Sequence, residues 1–344
     1  MSKKITFVVG AGASREVGLP IGSELVNDIA SRLTINGYSS GHGDPVIIDV
    51  ISEYKQGMKG NYFKAAKHIC DAMPQVISID NFIDQHQGNE EIEFCGKLAI
   101  VRSILEAERN SLLWFDENKG RGEKINFTDI QDTWFNRLWK LMTENCKEKD
   151  LLKRFDSFSF IVFNYDRCIE HFLYNSLQNY YKLSPHDAAV IVNGLDIYHP
   201  YGTVGYLQWQ NCSIGIKFGG NTDSSVLAYL SEQIKTFTEG TDEDDSEIFA
   251  IRQCVKDAKN IVFLGFAFHP LNIQLLRPAI SGREMQNTNV YATAYNVSNS
   301  NQLHSMGVLA NVIGVDIHKI KLADMACSEL FDEYSSSLSV LTLK

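Results

Sequence analysis

The run Ile5-Thr6-Phe7-Val8-Val9, followed at once by Gly10-Ala11-Gly12-Ala13-Ser14, constrains this chain more than any other stretch. Five residues of β-branched and aromatic character, bounded by Lys3-Lys4 and Gly10, read as a buried strand, and the residues after it must make a tight turn into a helix. Glycine at 10 and 12 lets the backbone come close to a ligand, and the N–H groups of the turn and the next helix favour a phosphate. This is the logic of a dinucleotide site. The third glycine of a G-x-G-x-x-G pattern falls on Arg15, so the turn taken alone is equally compatible with a structural role.

Leu25, Ile29 and Leu33 then recur at helical spacing behind Ser23, a suitable cap. An ordinary dinucleotide fold would continue with a second strand and an acidic ribose-binding residue within about 20 residues. Here residues 36–44 are a Gly- and Ser-rich loop, and the simple dehydrogenase pattern is broken. Residues 46–54, 62–72, 79–85, 91–113 and 134–147 each carry apolar residues three and four apart, so 45–152 reads as an all-helical insertion. Within it, residues 115–129 form a polar loop that is expected to be mobile. Strand patterns return at 158–163, 195–205, 260–268 and 289–295, with helices at 168–177 and 248–258 and an acidic, solvated loop at 242–247 between them. The expected fold is α/β, a Rossmann-like parallel sheet with helices on both faces, formed by residues 1–44 and 153–344 and carrying the inserted all-helical lobe.

Composition narrows the function classes. A net charge of −10 disfavours direct nucleic-acid binding, which rests on a cationic surface. No apolar run approaches the roughly 18 residues that span a bilayer, and the apolar run after Lys3-Lys4 is too short for a signal peptide, so a cytoplasmic protein is expected. The seven cysteines are scattered without a C-x-x-C pair, which indicates neither a disulfide framework nor a zinc site, and no metal is expected.

Four strand ends carry small or polar residues: Gly10-Ala11-Gly12-Ala13-Ser14, Asn164-Tyr165-Asp166, His199-Pro200-Tyr201-Gly202 and Gly265-Phe266-Ala267-Phe268. In this order, with a helical insertion after the first, the set resembles the sirtuin-like family and, within it, the bacterial branch that breaks down NAD in antiphage defence. Sirtuin deacylases continue the turn into G-I-P-D-F-R and carry a four-cysteine zinc module, whereas this chain has Gly18-Leu19-Pro20-Ile21-Gly22 and no C-x-x-C, which disfavours deacylation. Many relatives have His immediately before the Gly, where Tyr201 stands here. Strand alternation would put His199 and Tyr201 on the same side, so that His199 still reaches the site.

The resemblance implies an NAD glycohydrolase, an antiphage effector held silent until a protein partner, homo-oligomer assembly or a signal molecule releases it. The alternatives are a catalytically silent NAD-binding subunit and, further off, ADP-ribosyl transfer or deacylation. Cleaving the nicotinamide–ribose bond requires a fixed ribose, a positioned water and shelter for an oxocarbenium-like charge. Asn164 suits the ribose or water, since its amide donates and accepts without adding charge, though a strand-end cap would look the same. His199 suits a proton acceptor or hydroxyl-orienting group, or is simply a packed histidine. Asp166 either holds the ribose or caps the following helix. Gly10, Ala11, Gly12, Ala13 and Ser14 would line the pyrophosphate, Gly202, Gly265 and Phe266 the neighbouring strand ends, and Asn296 and Ser298 the adenosine half.

Overall fold

The computed structural model describes residues 5–34, 43–116, 124–212, 214–235, 246–278, 285 and 287–341. Residues 36–42, 117–123 and 242–245 of the three loops expected above lie outside the described residues. In chain order the elements are β1 (Ile5–Val9), α1 (Ala11–Ser14), α2 (Gly22–Arg32), α3 (Pro45–Tyr54), α4 (Lys59–Ala72), α5 (Ile79–Gln85), α6 (Glu90–Asn110), α7 (Trp134–Thr143) and α8 (Leu151–Phe155). Next come β2 (Phe158–Val162), α9 (Cys168–Tyr180), α10 (Pro185–Asn193), β3 (Asp196–Tyr198), α11 (Ser224–Ser231), α12 (Ser246–Asp257), β4 (Asn260–Leu264), α13 (Pro270–Leu275), β5 (Asn289–Thr293), α14 (Asn299–Leu309), β6 (Ile320–Ala323) and α15 (Cys327–Leu338).

The six strands form one sheet in the order β3-β2-β1-β4-β5-β6, and every pairing is parallel. This is a Rossmann-like α/β fold. The chain runs outward from β1 through β2 to β3, then returns to lay β4 on the other side of β1, so the strand order reverses between β1 and β4. In open parallel sheets the crevice at that reversal is where ligands bind.

Parallel strands covered on both faces are predominantly apolar, and Ile5–Val9, Phe158–Val162 and Asn260–Leu264 are buried at every position. Alternation sends Val8, Ile161, Phe263 and Ala292 into one core and Phe7, Phe160, Val262 and Tyr291 into the other. On the second face Phe7 stacks on Phe160, with ring centroids 5.3 Å apart, and on Phe331 of α15 at 5.9 Å. Thr6, a polar residue inside the sheet, is satisfied by Ser159 and by the carbonyl of Cys254.

Helices α3, α4, α5 and α6 pack with α2 and with α11 in the first core. Helices α7 and α8 belong to the second core, where Trp134 and Phe135 of α7 meet Phe331 and Phe172. A buried ion pair joins α6 to the start of α9. Glu108, fully buried, takes the Arg167 backbone N–H at 3.1 Å and Nε at 3.0 Å on one oxygen, and Nη2 at 2.5 Å and the Gly219 N–H at 2.9 Å on the other.

Several boundaries differ from the sequence expectation for physical reasons. Helix α2 starts at Gly22 rather than behind Ser23, with Glu24 accepting from the Ile21 N–H. β4 stops at Leu264 because Gly265 takes φ +55° and turns the chain out of the sheet. Among the described residues no helix is long and apolar enough to cross a membrane. All seven cysteines are free.

Candidate functional site

The C-terminal ends of β1, β2 and β4 bring together Gly10, Ser14, Asn164, Asp166 and Gly265. Asn164 lies two residues beyond the end of β2, and its Nδ2 donates to the Gly10 carbonyl at 3.1 Å and to Ser14 Oγ at 3.0 Å. Ser14 Oγ donates in turn to Asp166 Oδ2 at 2.8 Å, while Asp166 Oδ1 accepts the Cys168 N–H at 3.1 Å. Of the two roles expected for Asp166, the structure shows the cap on α9, while its other oxygen is taken by Ser14. Ser14, Asn164 and Asp166 are 3%, 7% and 5% exposed, so this is an amide, a hydroxyl and a carboxylate held in one buried chain across the ends of β1 and β2, next to the strand-order reversal on the other side of β1.

The glycines of the first turn are needed for a reason the sequence did not disclose. The close approach is to protein backbone: a Cβ at Gly12 would sit 2.9 Å from the Gly265 Cα and O, and one at Gly10 would sit 2.6 Å from the Gly265 O. The Gly12 N–H donates to the Gly265 carbonyl at 3.0 Å and the Ala13 N–H to the Gly10 carbonyl at 3.0 Å, so two of the amides expected to hold a phosphate are satisfied within the fold. Helix α1 has only four residues, which limits its dipole. Gly12→Val therefore perturbs the fold and cannot serve as a clean test of ligand binding. Gly265 is more constrained still, since its Cβ would lie 2.0 Å from the Ala13 N at φ +55°. Gly265→Ala should lower the unfolding free energy by roughly 2 kcal/mol or more, and a denaturant midpoint within error of the parent would refute that packing.

The histidine expectation needs correction. β3 ends at Tyr198, and the Gly202 N–H closes a turn on the His199 carbonyl at 2.8 Å, so strand alternation no longer applies to His199 and Tyr201. The two side chains part company. Tyr201 is buried in the first core, edge-on to Phe163 at 5.7 Å, and its hydroxyl donates to Asn272 Oδ1 at 2.6 Å. Burial, with Asp80 and Asp84 nearby, pushes its pKa well up, so it is a phenol that keeps its proton. His199 instead places Nδ1 3.1 Å from the Asn164 carbonyl and Nε2 2.8 Å from Glu170 Oε1. Both neighbours are acceptors, so the arrangement favours the protonated ring, which can donate from both nitrogens. Burial alone would lower its pKa, but the Glu170 carboxylate and the Asn164 carbonyl hold it above the ordinary value. Thus the structure brings His199 to the Asn164 backbone but not to its side chain, and both ring nitrogens are occupied by the Asn164 carbonyl and Glu170.

That pair has a signed pH dependence. Because the folded pKa is raised, its contribution is fully present below about pH 6.5 and is lost as pH rises through the folded value. The stability gap between the parent and His199→Gln should be largest near pH 6 and narrow towards pH 9, as read from denaturant midpoints. A gap that widens with pH would contradict the assignment.

Phe266 packs against Phe163 with ring centroids 5.1 Å apart and against Phe268 at 5.5 Å, over the ends of β2 and β4. The Tyr165 hydroxyl donates to Asp80 of α5, a short contact that ties the helical layer to the end of β2. Gly202 lies beyond the end of β3, where a Cβ would collide with the Gln233 carbonyl. Asn296 and Ser298 come after β5: Asn296, at φ +58°, donates its N–H to Asp324, and Ser298 caps α14. The sequence reading missed Glu170, Asp80 and Asn272. Glu170 alone left a signal, as an acidic residue in the first turn of the helix that follows Asp166.

Among the described residues no group of three or more His, Cys, Asp or Glu side chains could hold a metal ion. The sequence matches no protein-family profile, and no curated protein is significantly similar to it.

Proposed function

We propose that this protein is an NAD glycohydrolase whose reacting ribose sits against Ser14, Asn164 and Asp166. The observation that carries the proposal is the buried hydroxyl–amide–carboxylate chain at the C-terminal ends of β1 and β2, next to the strand-order reversal of a Rossmann-like sheet. In the reaction the C1′–N bond breaks, nicotinamide leaves with the electron pair as a neutral molecule, and water adds to C1′ to give ADP-ribose and one proton. The pyridinium is already a good leaving group, so little acid–base power is required. Asn164 would fix a ribose hydroxyl or the water, and the Asp166 carboxylate would shelter the cationic ribose and take the proton, directly or through Ser14. The adenosine half would run towards Asn296 and Ser298 at the end of β5. The resemblance to defence proteins supports an abortive-infection role released by a protein partner, self-assembly or a signal molecule.

A second proposal is favoured by a specific observation. Position 201 carries a protonated phenol, and both ring nitrogens of His199 are engaged by the Asn164 carbonyl and Glu170, which suits an NAD-binding subunit that does not cleave. Incubating the protein with NAD, alone and with the products of neighbouring genes, separates the two. The glycohydrolase releases nicotinamide and ADP-ribose in equal amounts; the silent subunit binds NAD and releases neither under any of these conditions.

A further inference from the structure

Residues 285–315 contain no Asp, Glu, Lys or Arg, in a chain that is 22% charged and carries a net charge of −10. The first part of this run holds β5, which the sheet buries at every position but its first. The second part is α14, and only Leu309 of that helix is buried. A helix facing water ordinarily carries charged residues on its outer face. On α14 that face is Ser300, Leu303, His304 and Gly307, all exposed and spaced three and four apart, with Leu303 68% exposed. Tyr295, 65% exposed, stands just before the helix. Lack of charge beside an exposed aromatic ring is the composition of an interface core. We infer that a second copy of the chain docks here, α14 against α14 about a two-fold axis, whether or not the protein acts on NAD.

The chemistry of the face selects a second copy over a different partner. A two-fold contact requires one patch to complement itself. Charges of one sign repel their own copies, whereas apolar groups pack together and an amide both donates and accepts. The exposed Asn299, Asn301 and Asn311 surround Leu303 with such amides. Two chains of net charge −10 also repel each other, and because salt screens that repulsion over roughly 8 Å, the charges nearest the contact decide it. This face brings no carboxylate to the contact. Gly307 agrees with it: a Cβ there would meet nothing within 4 Å, so nothing in the chain itself calls for glycine inside this helix, where glycine is disfavoured. Between two helices it lets the backbones approach closely.

A helix of this length, about 16 Å, makes less than the roughly 1,200 Å² of a standard interface, so the dimer is weak and forms at high micromolar concentration. Sedimentation equilibrium of the full chain, from micromolar to near-millimolar concentration, should show a reversible monomer–dimer equilibrium that added salt leaves unchanged or strengthens. Leu303→Glu, which sets a carboxylate against its own copy, should weaken dimerisation tenfold or more. Leu152→Glu makes the same charge change at a leucine 59% exposed on α8, which packs against α10 whereas α14 packs against β6, and it should leave dimerisation unaltered. Gly307→Gln, with a residue better suited to a helix, should weaken dimerisation without adding charge, and it decides the matter if Leu303→Glu fails to fold. A chain that stays monomeric throughout would leave this face to another protein and overturn the inference. So would self-association that salt breaks, that Leu303→Glu leaves intact, or that Leu152→Glu weakens as much.

Discussion

Asn164→Ala should reduce nicotinamide release from NAD by a hundredfold or more. A group that orients the reacting ribose or water and acts chiefly in the transition state typically contributes about 3 kcal/mol, which is that factor in rate. The change also frees the Ser14 hydroxyl and the Gly10 carbonyl from their shared partner, so Asn164→Asp, nearly the same size, is the necessary companion. An aspartate cannot donate to the Gly10 carbonyl when ionised, and it places a second carboxylate beside Asp166. It should therefore lose activity too, while binding of NAD suffers less than turnover in both variants. An Asn164→Ala protein that cleaves NAD as fast as its parent would remove Asn164 from the chemistry.

The largest stability effect is expected at Glu108. Replacing it by alanine strands the Arg167 guanidinium, 1% exposed, against the carbonyls of Ile216 and Lys217 with no counter-charge. Breaking a buried pair from one side costs about 3–5 kcal/mol, a large part of the roughly 5–15 kcal/mol by which domains are stable. Removing both partners together with apolar residues of similar volume should cost less than Glu108→Ala alone. Chemical denaturation of the single and paired variants reads this directly, and a loss under about 1 kcal/mol for Glu108→Ala would show that the pair is not buried as described. Because Arg167 comes directly after Asp166 in sequence, the loosened variant should also lose order at the Ser14–Asp166 contact.

The parts of this fold that were legible in the sequence are those governed by short-range pattern. Ile5–Val9, Phe158–Val162 and Asn260–Leu264 stand out because a strand buried on both faces is a mostly apolar, β-branched and aromatic run, and α5 shows its full span through helical spacing. β6, only Ile320–Ala323 with Lys321 exposed, lacks that signature, since an edge strand need not be apolar throughout. Asn164 and Asp166 could be picked out as polar residues at the end of a buried strand. Their bonds to Ser14 could not, because these span about 150 residues of chain. The histidine expectation failed for a local reason: alternation holds only within a strand, and β3 stops one residue short of His199, where Pro200 introduces a turn. Gly10 and Gly12 were singled out for close approach to a ligand, and only the folded chain identifies the Gly265 backbone as what they approach.

The most direct test of the central claim is a crystal structure of the Asn164→Ala protein with NAD bound. The nicotinamide ribose should lie within hydrogen-bonding distance of Ser14 and Asp166, with the adenosine half extended towards the end of β5. NAD lodged away from the strand-order reversal would contradict it.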